Sequence, residues 1–168
     1  MNLVEAHVLN AIRRDYRIAL PKVRGALDYV RKQFGWKHPL AEHKFETDGV
    51  NLFVSRFEKL ISASESGQLA IREVIKAHLH RIEHDTFGLA ARLYPFTREN
   101  GLDQPRFIVI DPLVSFGRPI IDGTGVTTTV LAERYKAGDS IKVLSQDYGL
   151  PTDEIEEAIR CELRTEAA

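Results

Sequence analysis

Apolar residues recur three and four positions apart over the first 35 residues, which is the spacing of amphipathic helices. Residues 3–15 follow this spacing, and Pro21 suits the first turn of a second helix that Gly35 ends. The basic residues of the second helix fall mostly on the face opposite its apolar stripe. The apolar positions are Leu3, Val4, Val8, Leu9 and Ile12 in the first helix, and Val23, Ala26, Leu27, Val30 and Phe34 in the second.

The middle of the chain changes period. Apolar positions follow Asp48-Gly49 with a period of two, so residues 43–57 are predicted to form a β-hairpin. Residues 68–85 return to helical spacing, and residues 87–96 look like a strand. The polar residues 97–105 contain Gly and Pro, and they are the best candidate for a linker.

The last third is predicted to contain one short strand, residues 106–110, and three helices. The helices cover residues 130–138, 140–149 and 152–164, with Ser140 or Asp139 as an N-cap of the second and Thr152 as that of the third. The predicted fold is α+β, with N-terminal helices and a small β-sheet followed by a C-terminal trihelical, helix-turn-helix-like domain. The predicted domains are residues 1–97 and 106–168, with a linker at 98–105.

The composition is that of a soluble protein, with 43% hydrophobic and 28% charged residues. No apolar run reaches the roughly 18 residues that span a bilayer, and the N-terminus lacks the pattern of a secretory signal. The single cysteine, Cys161, excludes an intramolecular disulfide. We therefore expect a cytoplasmic protein without a membrane partner.

The charge is uneven along the chain. Residues 1–40 carry eight Lys and Arg against three Asp and Glu, whereas residues 105–168 carry seven against eleven. This basic front is the better candidate for contact with DNA phosphates, although solvation of helical faces alone could account for it. The candidate DNA-binding residues are Arg13, Arg14, Arg17, Lys22, Arg24, Arg31 and Lys32.

The glycine-rich segment 118–130, RPIIDGTGVTTTV, invites comparison with phosphate-binding loops. It lacks the Lys-Ser/Thr pair of a Walker A motif, and no glycine at 128 completes the dinucleotide pattern. We interpret it as a structural turn in which Arg118 pairs with a nearby carboxylate, Asp111 or Asp122, or with backbone carbonyls. The structural loop residues are Gly117, Arg118, Pro119, Gly123, Thr124 and Gly125.

Residues 143–159 have the spacing of a helix-turn-helix, with Gly149 at the turn and Ile155 and Ala158 as anchors of the second helix. That second helix begins with four carboxylates in five residues, which would repel DNA phosphates. Packing or dimerisation is therefore the favoured interpretation of this unit, and DNA reading the alternative. The carboxylates are Asp153, Glu154, Glu156 and Glu157.

No arrangement of residues predicts catalysis. His80 and His84 are spaced like metal ligands on a helix, but no further ligand completes a site, and a solvated face is the simpler interpretation. No nucleophile and base can be recognised. The sequence predicts no enzyme, no metal and no cofactor.

Residues 107–163 resemble the prokaryotic domain-of-unknown-function family 433. The resemblance lies in the strand end at Asp111-Pro112, in Gly117-Arg118-Pro119, in Gly123-Thr124, in Asp147-Tyr148 and in the acidic last helix. Residues 2–55 resemble the MerR-like N-terminal part of longer members, which are VapB-type antitoxins. In those members a helix-turn-helix precedes the segment that begins here at Leu3, so autonomous operator binding is less expected.

This resemblance implies an antitoxin of a type II toxin–antitoxin pair, a homodimer whose partner is a PIN-like (VapC-type) ribonuclease. Operator DNA is a second candidate partner. The alternative is a DNA-binding transcriptional regulator without a toxin, and a nucleotide-using enzyme is the least favoured interpretation. The candidate toxin-binding residues are Arg160 and Arg164, which could face the acidic nuclease site. Alternatively, both could pair with Glu156, Glu157 or Glu162 on their own helix.

Overall fold

The computed structural model describes residues 3–16, 20–42, 45, 49–51, 53–55, 65–98 and 103–166, and among these residues 3, 11–16, 20, 65–71 and 164–166 by their backbone only. The chain divides into two compact units, Met1–Ala91 and Arg92–Ala168. The linker predicted at residues 98–105 stays a prediction.

The first unit contains helices α1 (Leu3–Tyr16), α2 (Leu20–Phe34) and α3 (Glu65–Leu79), and a 3₁₀ turn at Pro39–Ala41. Each of these three helices corresponds to one predicted from the sequence. Their apolar stripes form the core because a helix buries the face that repeats every three to four residues. The described core positions of α1 and α2 are Val4, Val8, Leu9, Val23, Ala26, Leu27 and Val30. Phe34 is an exception, since it stays exposed and stacks on Trp36 with ring centroids 4.3 Å apart.

The hairpin predicted for residues 43–57 is wrong in the described part of that segment, where Val50, Asn51 and residues 53–55 are helical. The buried residues Val50, Phe53 and Val54 repeat at helical spacing, and Phe53 packs edge-to-face on Phe45. Gly49 lies so close to Phe45 that a Cβ at this position would clash with its ring. Gly49 therefore allows the Phe45 ring to pack directly against the backbone. Asp48, the other residue of the predicted turn, lies outside the described residues.

The helix predicted for residues 68–85 ends early, at Leu79, and strand β1 (Ile82–His84) follows. The Asp85 carboxylate accepts hydrogen bonds from the backbone N–H groups of Phe87 (2.8 Å) and Leu89 (2.9 Å), which shapes a turn into strand β2 (Ala90–Leu93). Because α3 ends before this turn, His84 lies on a strand and His80 follows the end of α3, so the two do not share a helical face.

Strands β3 (Ile108–Ile110) and β4 (Pro119–Ile121) complete a sheet of four short strands in the order β1-β2-β3-β4. Strand β3 pairs antiparallel with both neighbours, with Leu93 opposite Ile110 and Ile108 opposite Ile121. Helices and an antiparallel sheet that occupy separate stretches of the chain define the α+β class, so the predicted fold class is confirmed.

The three C-terminal helices were predicted correctly: α4 (Thr128–Lys136), α5 (Ile141–Tyr148) and α6 (Thr152–Glu166). Ser140 caps α5 by accepting a hydrogen bond from the Val143 N–H, and Gly149 ends it with a left-handed φ of 66°. Helices and sheet share one core, which consists of Ile108, Ile121, Leu131, Leu144, Ile155, Ala158 and Ile159. No helix in the described part of the chain is long and apolar enough to cross a bilayer.

Candidate functional site

The connection between β3 and β4 is held by Asp111, the last polar group before the turn. Its carboxylate accepts hydrogen bonds from the Leu113 N–H (2.8 Å) and from Nε of Arg92 (3.0 Å). These two bonds lower the pKa of Asp111 below its ordinary value, although burial acts in the opposite direction. The ionised carboxylate therefore fixes the base of the turn through these two hydrogen bonds.

Beyond Asp111 the backbone is left-handed over three consecutive residues, Ser115 (φ 46°), Phe116 (φ 57°) and Gly117 (φ 72°). Non-glycine residues adopt this conformation rarely, because Cβ approaches the carbonyl oxygen. Local hydrogen bonds hold it here, from the Gly117 N–H to the Val114 carbonyl (3.0 Å) and from the Arg118 N–H to the Ser115 carbonyl (3.2 Å).

This turn displays two large apolar side chains to solvent. Leu113 is 95% exposed and Phe116 is 99% exposed, whereas Val114 between them packs on the buried cluster of Tyr94, Val109 and Ile120. The Ser115 hydroxyl also lies 3.4 Å from the Gly125 carbonyl oxygen, to which it donates. Val114 and Ser115 therefore attach the turn to the rest of the unit, while Leu113 and Phe116 form its apolar outer side.

The second loop, residues 122–127, satisfies its own polar groups. The Gly123 N–H donates to the Asp122 carboxylate (2.9 Å), and the Val126 N–H donates to the Thr124 hydroxyl (3.1 Å). The Thr124 hydroxyl in turn donates to the Ile121 carbonyl (2.7 Å). Because these donors are used within the loop, they are not available to cradle a phosphate. The geometry supports the structural interpretation of this segment.

Among the described residues the Arg118 guanidinium pairs with neither carboxylate nor with a backbone carbonyl, so that expectation is wrong. Arg92 on β2 contacts both carboxylates, through Nε at 3.0 Å from Asp111 and Nη1 at 3.8 Å from Asp122, and the Tyr94 hydroxyl donates to Asp122 (3.1 Å). Arg118 is exposed, and its side chain has no hydrogen-bond or ion-pair partner among the described residues. Sequence reasoning missed Arg92 because it becomes a neighbour of these carboxylates only through strand pairing.

Replacing Gly123 by Val is expected to lower the free energy of unfolding by about 1–2 kcal/mol, because its φ is +73° and a β-branched side chain is disfavoured there. Gly125→Ala in the same loop is the matched control, since Gly125 has no positive φ and the added methyl group would have no atom within 4 Å. Urea unfolding of both variants checks this. Equal stability of the two would contradict the assigned turn.

The described part of the basic front lies on α2, where Lys22, Arg24, Arg31 and Lys32 are all exposed. Arg24 and Arg31 border one cavity of about 260 Å³, whose lining also includes the buried Glu5 and the partly exposed His38. Glu5 and His38 are 3.0 Å apart, and Arg31 contacts Asp28 at 3.3 Å. The structure therefore brings two of the predicted cations together; Arg17 and the side chains of Arg13 and Arg14 lie outside the described part.

Helix α6 holds a buried carboxylate, Glu157, whose side chain is 1% exposed. It accepts hydrogen bonds from the Thr97 hydroxyl, from Arg98 (2.9 Å) and from Arg160. Burial raises the pKa of Glu157, but the bonds from Arg98 and Thr97 and the charge of Arg160 outweigh burial and hold the pKa below its ordinary value. Pairing of Arg160 within its own helix is thus confirmed, and the Arg164 side chain lies outside the described part.

The start of α6 is acidic. Burial raises the pKa of Glu154, and the neighbouring charges of Asp153 and Asp122 raise it further. Ionised carboxylates repel phosphates, so the charge at this end of α6 does not favour contact with DNA. Within the described residues, no three His, Cys, Asp or Glu side chains are grouped so that they could hold a metal ion.

Comparison with known proteins agrees with the resemblance predicted from the sequence. Residues 108–160 match the family described as "Protein of unknown function (DUF433)". The chain is similar to "Putative antitoxin VapB45" of Mycobacterium tuberculosis, with 28% identity over 95% of this chain and 69% of the relative. It is also similar to the crystal structure of Rv2018 from Mycobacterium tuberculosis, with 26% identity, a TM-score of 0.67, and coverage of 94% of this chain and 76% of the other.

Proposed function

We propose that this protein is the antitoxin of a type II toxin–antitoxin pair, and that it binds and neutralises a PIN-like (VapC-type) ribonuclease. The observation that carries the proposal is the similarity to "Putative antitoxin VapB45", which runs through 95% of the chain and so includes both compact units. A likeness confined to the C-terminal family domain would support a shared fold without a shared role.

The described surfaces fit binding better than chemistry. The donors of the glycine loop are used internally, and Asp111 and Glu157 are engaged by arginines. What the second unit offers a partner is a hydrogen-bonded turn with two exposed apolar side chains beside the exposed Arg118. Exposed apolar groups of this kind are typical of protein–protein contact sites.

Co-expression tests the proposal. The full chain, carrying an affinity tag, is produced together with the product of each adjacent gene in turn, and the purified material is assayed for RNA cleavage. We expect one small nuclease to co-purify and to cleave RNA only after the complex is dissociated. Nuclease activity that this chain leaves unchanged, or no nuclease bound at all, would contradict the antitoxin role.

The protein is further proposed to be a cytoplasmic homodimer. The expected mass in solution is near twice 19.0 kDa. Light scattering coupled to size-exclusion chromatography measures it, over at least a hundredfold range of loading concentration. A monomer mass at every concentration would show that the paired state does not form.

The second candidate function is DNA binding through the basic front, favoured by Arg24 and Arg31 on one exposed face of α2. Reversing charge at this pair, or at Arg13, Arg14 and Arg17, should weaken binding to the protein's own promoter. It should also flatten the dependence of log K on log salt by about one unit per lost phosphate contact. Glu154→Gln and Glu156→Gln are the controls, since they remove carboxylates and should not weaken binding. If these two variants bound the DNA more weakly than the arginine variants did, the DNA contact would lie on α6 instead.

A further inference from the structure

Residues 113–118, here called the anchor loop, are the most unusual exposed segment in the described part of the second unit. Two large apolar side chains, Leu113 and Phe116, are 95% and 99% exposed only three positions apart. A single exposed apolar residue needs no explanation, but two neighbours that are almost wholly in water are unfavourable unless a partner covers them.

The backbone holds these side chains outward in a fixed arrangement. Left-handed φ values at Ser115 and Phe116 persist only where surrounding contacts impose them, and such sites tend to be functional. The contacts here are the Asp111 carboxylate bound by Arg92 at the base and the Ser115 hydroxyl donating to Gly125 at the top. A backbone that is already held in one conformation loses little conformational entropy on binding, which favours affinity.

The last residue of the anchor loop, Arg118, carries a positive charge. Arg118 is exposed, and within the described residues no carboxylate pairs with it; Asp111 and Asp122 both contact Arg92 instead. The loop therefore combines two apolar groups with an available guanidinium, which is the residue chemistry that recurs at the centres of protein interfaces. A matching surface would offer an apolar pocket beside carboxylates.

We propose that the anchor loop is the docking element for the toxin: Leu113 and Phe116 enter an apolar pocket of the nuclease, and Arg118 faces its metal-holding carboxylates. This inference rests on the proposed function. A nuclease that works through magnesium presents a cluster of carboxylates in a cleft, so its charge complements Arg118. Occupation of that cleft by a guanidinium would also oppose metal binding and so explain inhibition.

Charge disfavours a second copy of this chain as the occupant. Loop-to-loop contact in a symmetric dimer would place the two copies of Arg118 close to each other, since each subunit uses the same patch. Like charges facing each other across an interface are unfavourable, and the exposed residues of the loop include no carboxylate that could compensate. An acidic partner removes this conflict.

The test uses the full chain and the nuclease that co-purifies with it. Phe116→Ala is expected to raise Kd for that nuclease about 30-fold, as truncation of an aromatic anchor does. Arg118→Gln is expected to raise Kd about 10-fold and to weaken its salt dependence. Phe87→Ala is the matched control, because Phe87 is an equally isolated aromatic side chain, 87% exposed in the other unit, and it should leave Kd unchanged.

Each outcome is informative. Thermal unfolding of the variants should match that of the wild type, because exposed side chains add little to the core. If wild-type protein binds no nuclease, the proposed function fails and the docking role fails with it. If it binds the nuclease and Phe116→Ala binds equally well, the docking role alone is overturned. It is likewise overturned if Leu113→Ala and Phe116→Ala together turn a dimer into a monomer while nuclease affinity stays unchanged.

Discussion

Replacing Ile155 by Ala is expected to lower the free energy of unfolding of the second unit by about 3 kcal/mol. Ile155 is fully buried where α6 meets α4 and α5, among Leu131, Leu144 and Ala158. Removal of three carbons there forfeits their burial and leaves a cavity that rigid neighbours on three helices cannot fill. Because domains of this size are stable by only about 5–15 kcal/mol, such a loss would be a large fraction of the total.

Urea unfolding followed by circular dichroism measures this effect, with Leu163→Ala as the control on the same helix. Leu163 is 42% exposed, so its truncation should change the free energy of unfolding by less than about 0.5 kcal/mol. Equal stability of Ile155→Ala and Leu163→Ala would show that α6 does not pack against α4 and α5 as described.

The sequence predicted the elements whose signals are local. The three C-terminal helices carry apolar stripes long enough to define a period, and Ser140 and Gly149 mark the ends of α5 in the expected way. The prediction for the segment around Gly49 was wrong because the apolar pattern there is too short to define a period. Val50 and Val54 suit a period of two and a helical period equally well, and the burial of Phe53 decides for the helix.

The candidate site was less predictable, since it depends on contacts between distant residues. Arg92 reaches Asp111 only because β2 lies beside β3, and strand order is not encoded in either segment. The backbone of Phe116 departs from local preference as well, because a left-handed φ is disfavoured for an aromatic residue. Departures from local preference of this kind concentrate at functional sites, and the sequence gives no sign of them.

Glu157→Gln is expected to lower the free energy of unfolding by about 2 kcal/mol at neutral pH, because hydrogen bonds to a buried charge are worth more than those to a neutral amide. Glu157 binds Thr97, Arg98 and Arg160, so its ionised form ties the segment before β3 to α6. Glu156→Gln is the matched control, since Glu156 is the exposed neighbour on the same helix and should leave stability unchanged.

The dependence of this difference on pH identifies the charge as its source. The pKa of Glu157 is lowered in the folded protein, so the folded state gains stability that is fully present above the ordinary pKa of a glutamate and disappears as pH falls through the lowered folded value. Wild type and Glu157→Gln should therefore differ by a constant amount from about pH 6 to 8, and the difference should shrink as the pH falls through the lowered pKa of the folded carboxyl, where the wild-type side chain also becomes neutral. A difference that did not shrink as the wild-type carboxyl was protonated would trace the loss to the amide group itself, because protonation removes the charge but leaves the shape of the side chain almost unaltered.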